Sequence, residues 1–217
     1  SMEHVAVAAE SRRRFEVSNL VLDLRPNKSR KKRKILILCG GPNDRTVSLY
    51  NLFVSAGLEC VNYDKVNGQQ FDLVDDVVKD AILHDIAAGE YVAAFASPEC
   101  STFSKLHNLP GPPPLRTATG PERYGIKTNN IEQAEKVRIH TLMAVRVTQA
   151  LDLLTELRIP WLYETPAIHA GQVSMAHLDE YVALLKKEGV QHTIGLQCPF
   201  GGPSPKPTSW IFYRMEL

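Results

Sequence analysis

The sequence predicts one α/β domain built on a doubly wound, mostly parallel sheet. Three observations predict it. Short, continuous apolar runs recur along the chain, as expected for strands buried on both faces. Segments with helical spacing lie between them, which implies crossover connections. The length, 217 residues, suits one domain with its own core.

The elements follow in order. Ile35-Leu36-Ile37-Leu38-Cys39 is the first apolar run, and Gly40-Gly41-Pro42-Asn43-Asp44 is a turn. Arg45 to Ala56 carries Val47, Leu49, Leu52 and Phe53 at helical spacing and ends at Gly57. Glu59 to Tyr63 is the second strand, stopping at Asp64. Val74 to Ala88 is a helix closed by Gly89, and Tyr91 to Ala96 is the third strand. Residues 105–130 are rich in proline and glycine and read as a long loop, of the kind that is functional or mobile. Ile131 to Leu157 is a long helix, and Ile159 to Tyr163 is a strand running into Glu164. Ser174 to Lys187 is a helix closed by Gly189, and Val190 to Leu196 and Thr208 to Tyr213 are the last strands.

Charge divides the chain in two. The net charge is +1, yet residues 1–34 hold ten Arg/Lys against four acids. Residues 1–33 therefore read as a basic arm on a mildly acidic domain of residues 34–217. Such an arm suits a polyanion, and reads equally well as a solvated tail or a nuclear-localisation-like run. No two of Cys39, Cys60, Cys100 and Cys198 stand at CxxC spacing, so no metal site is expected. No secretory leader or membrane span is read, so the cysteines are expected reduced and the protein intracellular, nuclear if its source is eukaryotic.

Ligands of open α/β sheets bind beyond the carboxyl ends of the strands. Those positions hold Gly40-Gly41, then Asp64, then Ser97-Pro98-Glu99-Cys100, then Glu164-Thr165-Pro166. Glycines let a backbone approach a ligand or simply make a strand-to-helix turn, and Asp64 after the second strand can accept from a ribose diol or be an ordinary turn residue. Together they suggest a nucleoside-containing cofactor. Cys100 on a polar strand-end loop can be an exposed nucleophile, or a small buried hydrophobe. Glu164 can donate a proton or a hydrogen bond, or serve as a cap or ion-pair partner.

At these residues the sequence resembles the cytosine-C5 DNA methyltransferases. Ser97-Pro98-Glu99-Cys100-Ser101-Thr102-Phe103-Ser104 is similar to their Pro-Pro-Cys-Gln-x-Phe-Ser motif, and Glu164-Thr165-Pro166 to their Glu-Asn-Val or Glu-Asn-Pro. The resemblance spans roughly residues 34–213. It is nearest to small, divergent members from phage-like and mobile-element-like sequences, so the chain can be part of a larger polyprotein. Those members also carry a Gly-Pro-Pro-Pro-Leu-Arg loop, here Gly111 to Arg116. Their late segment reads here Gln197-Cys198-Pro199-Phe200-Gly201 and Lys206-Pro207-Thr208.

The resemblance implies a Rossmann-like, S-adenosylmethionine-dependent methyltransferase fold. It implies cofactor contacts from Cys39, Gly40, Gly41, Asp64, Ser97 and Pro98. A base turned out of DNA would be attacked at C6 by Cys100, with Glu164 at N3. Ser104, Lys105, Arg116, Arg123, Lys127 and Lys206 would hold nucleic acid; their alternative is ordinary surface charge. Three departures stand out. Glu99 replaces the proline before the cysteine, and a carboxylate there would raise the thiol pKa. Cys39-Gly40-Gly41-Pro42-Asn43-Asp44 replaces Phe-x-Gly-x-Gly. No Gln-x-Arg-x-Arg motif is present. Two other readings stay open: a methyltransferase fold kept as a binding platform for nucleic acid or protein, and an RNA methyltransferase.

Overall fold

The structure is a computed structural model, and it describes residues 34–45, 48–103, 114–168, 171–196 and 207–215. Six strands form one sheet: β1 (Lys34–Leu38), β2 (Cys60–Tyr63), β3 (Tyr91–Ala96), β4 (Trp161–Pro166), β5 (Val190–Leu196) and β6 (Pro207–Tyr213). Their order is β2-β1-β3-β4-β6-β5. Neighbours from β2 to β4 pair in parallel, and β6 runs antiparallel to both β4 and β5. Four α-helices flank the sheet among the described residues: α1 (Leu49–Ser55), α2 (Asp76–Ala87), α3 (Ile131–Glu156) and α4 (Asp179–Leu185).

Strand alternation sends successive side chains to opposite faces, and both faces are apolar in the central strands. Leu36, Leu38, Ala94, Ala96, Trp161 and Tyr163 join the larger core with Ile82 and Ile86 of α2, Ala144, Val147 and Leu151 of α3, and Tyr181 of α4. Ile35, Ile37, Ala93 and Phe95 form a smaller core with Phe53 of α1 and Leu58. Trp161 is fully buried, and its indole N–H donates to Thr155 Oγ1 at 2.9 Å. That bond satisfies the one polar atom that such burial would otherwise strand.

The helix boundaries follow their caps. The spacing predicts a helix from Arg45, but α1 begins at Leu49 because Ser48 accepts from the Asn51 N–H. Asn130 and Gln133 form a reciprocal capping box that starts α3. The helix expected over Ser174–Lys187 is split. Ser174 caps a single 3₁₀ turn, Leu178 is extended at ψ 143°, and α4 follows. Strand β4 runs three residues past Tyr163, since Glu164, Thr165 and Pro166 pair with β6. The part of the 105–130 loop described, from Pro114, is packed rather than open. It buries Leu115 and Arg116 and contains the 3₁₀ turn Pro121–Tyr124. No described helix is long and apolar enough to cross a membrane.

Candidate functional site

From β1 the chain goes to β2 on one side and then to β3 on the other, so a switch point lies beyond Leu38. A cleft of about 940 Å³ opens there. Its wall includes Cys39, Gly40, Gly41, Asp64, Ser97 and Glu164, contributed by the ends of four strands. Of the residues expected at the strand ends, Gly40, Gly41, Asp64, Ser97, Glu99 and Glu164 share this cleft, whereas Pro98, Cys100, Thr165 and Pro166 are not part of its wall.

The glycine turn is laced to β2 by side chains. Gly40 N–H donates to Asn62 Oδ1 at 3.2 Å, and Gly41 N–H to Asp64 Oδ2 at 2.9 Å. Gly41 carbonyl accepts from the amides of Asn62 and Asn67. A Cβ on Gly40 would lie 2.5 Å from Ile37 Cγ2, so no side chain fits. Gly41 sits at φ +77° and its Cβ direction is open, with Arg45 Nη1 nearest at 3.9 Å. Asp64 also accepts from Val66 N–H through Oδ1 and so starts the Lys65–Asn67 turn. Its carboxylate thus fixes the loop while keeping spare lone pairs, since each oxygen can accept twice.

Beyond β3, Ser97 N–H donates to Leu38 carbonyl at 3.0 Å, and Ser97 Oγ donates to Glu164 Oε2 at 2.7 Å. This couples two of the expected site residues directly. Pro98, expected to contact the cofactor, is buried and is not part of the cleft wall. Glu99 and Ser101 line the cleft, whereas Cys100 between them is half-buried against the larger core. The side chain of Glu99 thus takes the cleft-facing position that sequence reasoning gave to Cys100. Cys39 also lines the cleft, at φ 59°. Burial pushes its thiol far up, with Asp64, Asp72 and Glu99 adding to the effect, so it is a neutral wall residue.

Burial alone would raise the Glu99 carboxyl. The backbone N–H and side chain of Ser101, with the charges of His140 and Lys136, outweigh it and hold Glu99 below the ordinary range. Burial lowers His140; Glu99 opposes that, and Lys136, Arg116 and Lys65 add to it.

Of the six residues expected to hold nucleic acid, Ser104, Lys105 and Lys206 lie outside the described residues. Lys127 is exposed. Arg123 bonds His177 carbonyl and pairs with Asp179 at 2.9 Å, so its charge is engaged within the fold. Arg116 is 1% exposed. It donates to Thr102 Oγ1, Arg123 carbonyl and Val137 carbonyl and lies 3.8 Å over the Phe103 ring. A proline-rich loop suggests an exposed arginine; this one is instead the loop's internal anchor.

Several residues that line or brace the cleft escaped sequence reasoning. Asn62 interrupts an apolar strand and is 3% exposed, a buried polar group that needs partners. Asp72 lines the cleft at the end of a 3₁₀ turn. Lys136 and His140 are four apart on α3, as are Ile139 and Met143, and all four face the cleft. That i, i+4 spacing was a readable signal.

The fold and the site define an α/β domain with a cleft at its switch point that is lined by both polar and apolar side chains. No family model matches the chain, and no curated protein matches it.

Proposed function

We propose that this protein is an S-adenosylmethionine-dependent methyltransferase of the cytosine-C5 type, acting on DNA. The observation that carries the reading is the convergence of Gly40, Gly41, Asp64, Ser97 and Glu164 on one cleft. The resemblance to the methyltransferases rests on four of the same strand ends. The cleft's volume lies in the range that nucleotide-sized ligands occupy. The open approach at Gly41 and the spare lone pairs of Asp64 fit a nucleoside with its ribose diol.

In this reading Gly40, Gly41 and Asp64 hold the cofactor with Cys39 and Ser97 beside it. The cofactor, when bound, supplies an electrophilic methyl group. Glu164, oriented by Ser97, holds a hydrogen bond or a proton at cytosine N3 and so makes C6 electrophilic. The Cys100 thiolate would add to C6 and leave again once C5 has taken the methyl, with the demethylated cofactor as leaving group, and has given its proton to a base such as water. Cys100 must turn its thiol from the core toward the cleft for this to occur.

The test is a DNA duplex carrying 5-fluorocytosine, offered with the cofactor. A covalent adduct that Cys100→Ser abolishes supports the reading. A second reading, a methyltransferase fold acting as a binding platform, is favoured by the packing of Cys100 against the core. It predicts polyanion binding that is indifferent to Cys100→Ser and weakens on removal of residues 11–34.

A further inference from the structure

Trp210 belongs to no strand-end motif, yet it stands directly beside Glu164. The two are register partners in the antiparallel pairing of β4 with β6, so they share one face of the sheet. It is the face of Leu162 and Phe95, which pack with the smaller core. On the other side of Glu164, Ser97 donates to its Oε2 at 2.7 Å. Ser97, Glu164 and Trp210 thus run side by side at the ends of β3, β4 and β6, and all three line the cleft. The indole is also seated. A Cβ on Gly195 of β5 would lie 2.8 Å from Trp210 Cζ3 and 3.6 Å from Cη2, so the benzo edge fills the room that a side chain there would take. With that edge over β5, the ring meets the cleft from the side of β4, where Glu164 stands. Among the described residues, α1 is the one α-helix whose buried side chain, Phe53, packs on this face, and it does so over Phe95. Trp210 is half-buried, unlike Trp161, which is sealed in the core with its N–H paired. Asp64 ends β2, four strands away from β6 in the sheet order. At strand spacings of about 4.8 Å that is roughly 19 Å, too far for one nucleoside to touch both.

We infer that Trp210 is the stacking platform for the DNA base whose edge Glu164 holds. The inference rests on the reading of Glu164 as the group at cytosine N3. Side chains on a sheet stand off it, and an indole reaches further than a carboxylate. A base with its edge on Glu164 therefore stands at the height of the neighbouring indole and lays its face against it. The two neighbours divide the work. Every base has a face that an aromatic ring can stack on, so Trp210 supplies affinity that tolerates base identity. Glu164 reads the edge. Gly195 is a supporting position, because its missing side chain is what lets the indole sit there. The cleft then holds two occupants along the sheet, a cofactor at the β1 and β2 end and a base at the β4 and β6 end.

The experiment uses the full chain, whose two tryptophans report separately. Trp161 is sealed from solvent, so a ligand-dependent change in indole fluorescence comes from Trp210. The probes are a short single strand of abasic deoxyribose phosphates carrying one central cytosine, and the same strand wholly abasic. Single strands avoid the cost of unpairing a base. The cytosine strand quenches the fluorescence and binds about tenfold tighter than the abasic strand, within the range that one stacked base spans. Anisotropy of the dye-labelled strands reads the variants. Trp210→Leu removes the preference, while Trp210→Phe, which keeps an aromatic face, retains most of it. Gly195→Val fills the indole's seat and also weakens the preference. Circular dichroism and melting confirm that each variant is folded, and quenching in the wild type needs no variant. Three results overturn the inference: no quenching by the cytosine strand, equal affinity for the two strands, or a preference that survives Trp210→Leu. If S-adenosylhomocysteine binds in an Asp64-dependent way and the cytosine strand does not quench, the inference fails and the proposed function stands. If the cytosine strand quenches with the stated preference and S-adenosylhomocysteine does not bind, the cofactor reading fails and the inference stands.

Discussion

Replacing Arg116 by methionine removes three N–H donors and one positive charge while keeping most of the side chain's length. The structure sets the magnitude. Val137 carbonyl also accepts from Thr141 Oγ1, and Thr102 Oγ1 keeps His140, so only Arg123 carbonyl loses its sole side-chain donor. Hydrogen bonds to a charged group are worth about 1.5–3 kcal/mol each, but burying the guanidinium costs several kcal/mol in return. The net loss is about 2–3 kcal/mol. For a chain of this size that lowers the melting temperature by about 5–10 °C. The assay is thermal unfolding beside the salt dependence of binding to a labelled DNA duplex. An internal anchor predicts a lower melting temperature and an unchanged salt slope in the folded protein. A phosphate contact predicts the reverse: an unchanged melting temperature and a salt slope smaller by about one. The second outcome would refute the placement of Arg116 inside the fold.

Three further predictions follow from the cleft. Gly40→Ala destabilises by about 3 kcal/mol through the clash with Ile37 and Asn62, and Gly41→Ala by about 1 kcal/mol through its left-handed backbone; denaturant unfolding showing the opposite order would contradict the geometry of the turn. Asp64→Asn loses an anionic acceptor for two backbone N–H groups, so it destabilises by about 1 kcal/mol as read by urea unfolding. Glu99 has a lowered carboxyl, so its contribution is present above the ordinary carboxylate range and is lost as pH falls through its folded value. Being partly exposed it is worth less than about 1 kcal/mol, and Glu99→Gln should flatten the acid limb of the stability profile by that small amount.

The sheet was legible because its central strands are buried on both faces. Ile35–Leu38 and Tyr91–Ala96 carry no polar residue, and that pattern is hard to mistake. The ends of β2 and β3 were legible because a polar residue, Asp64 or Ser97, follows the run where the chain leaves the sheet; β4 instead continues through Glu164 to Pro166. Side-chain direction was less so. Cys100 and Glu99 are adjacent, and only the 3₁₀ turn Ser101–Phe103, with Phe103 N–H on Cys100 carbonyl, decides which of them faces the cleft. The order of β5 and β6 was also not readable, since their antiparallel pairing depends on contacts across the sheet rather than on local pattern. Arg116 was misjudged because its partners, Thr102 and Val137, come from separate elements that composition cannot bring together.

The most direct test of the central claim is a titration of the full chain with S-adenosylmethionine and S-adenosylhomocysteine, by calorimetry and by thermal shift. Ligand at a hundred times its dissociation constant should stabilise the fold by about 2.7 kcal/mol. A cofactor site at the switch point predicts that stabilisation, with affinity lowered about tenfold by Asp64→Asn. No binding at millimolar ligand would contradict the methyltransferase reading of the cleft and leave the binding platform in its place.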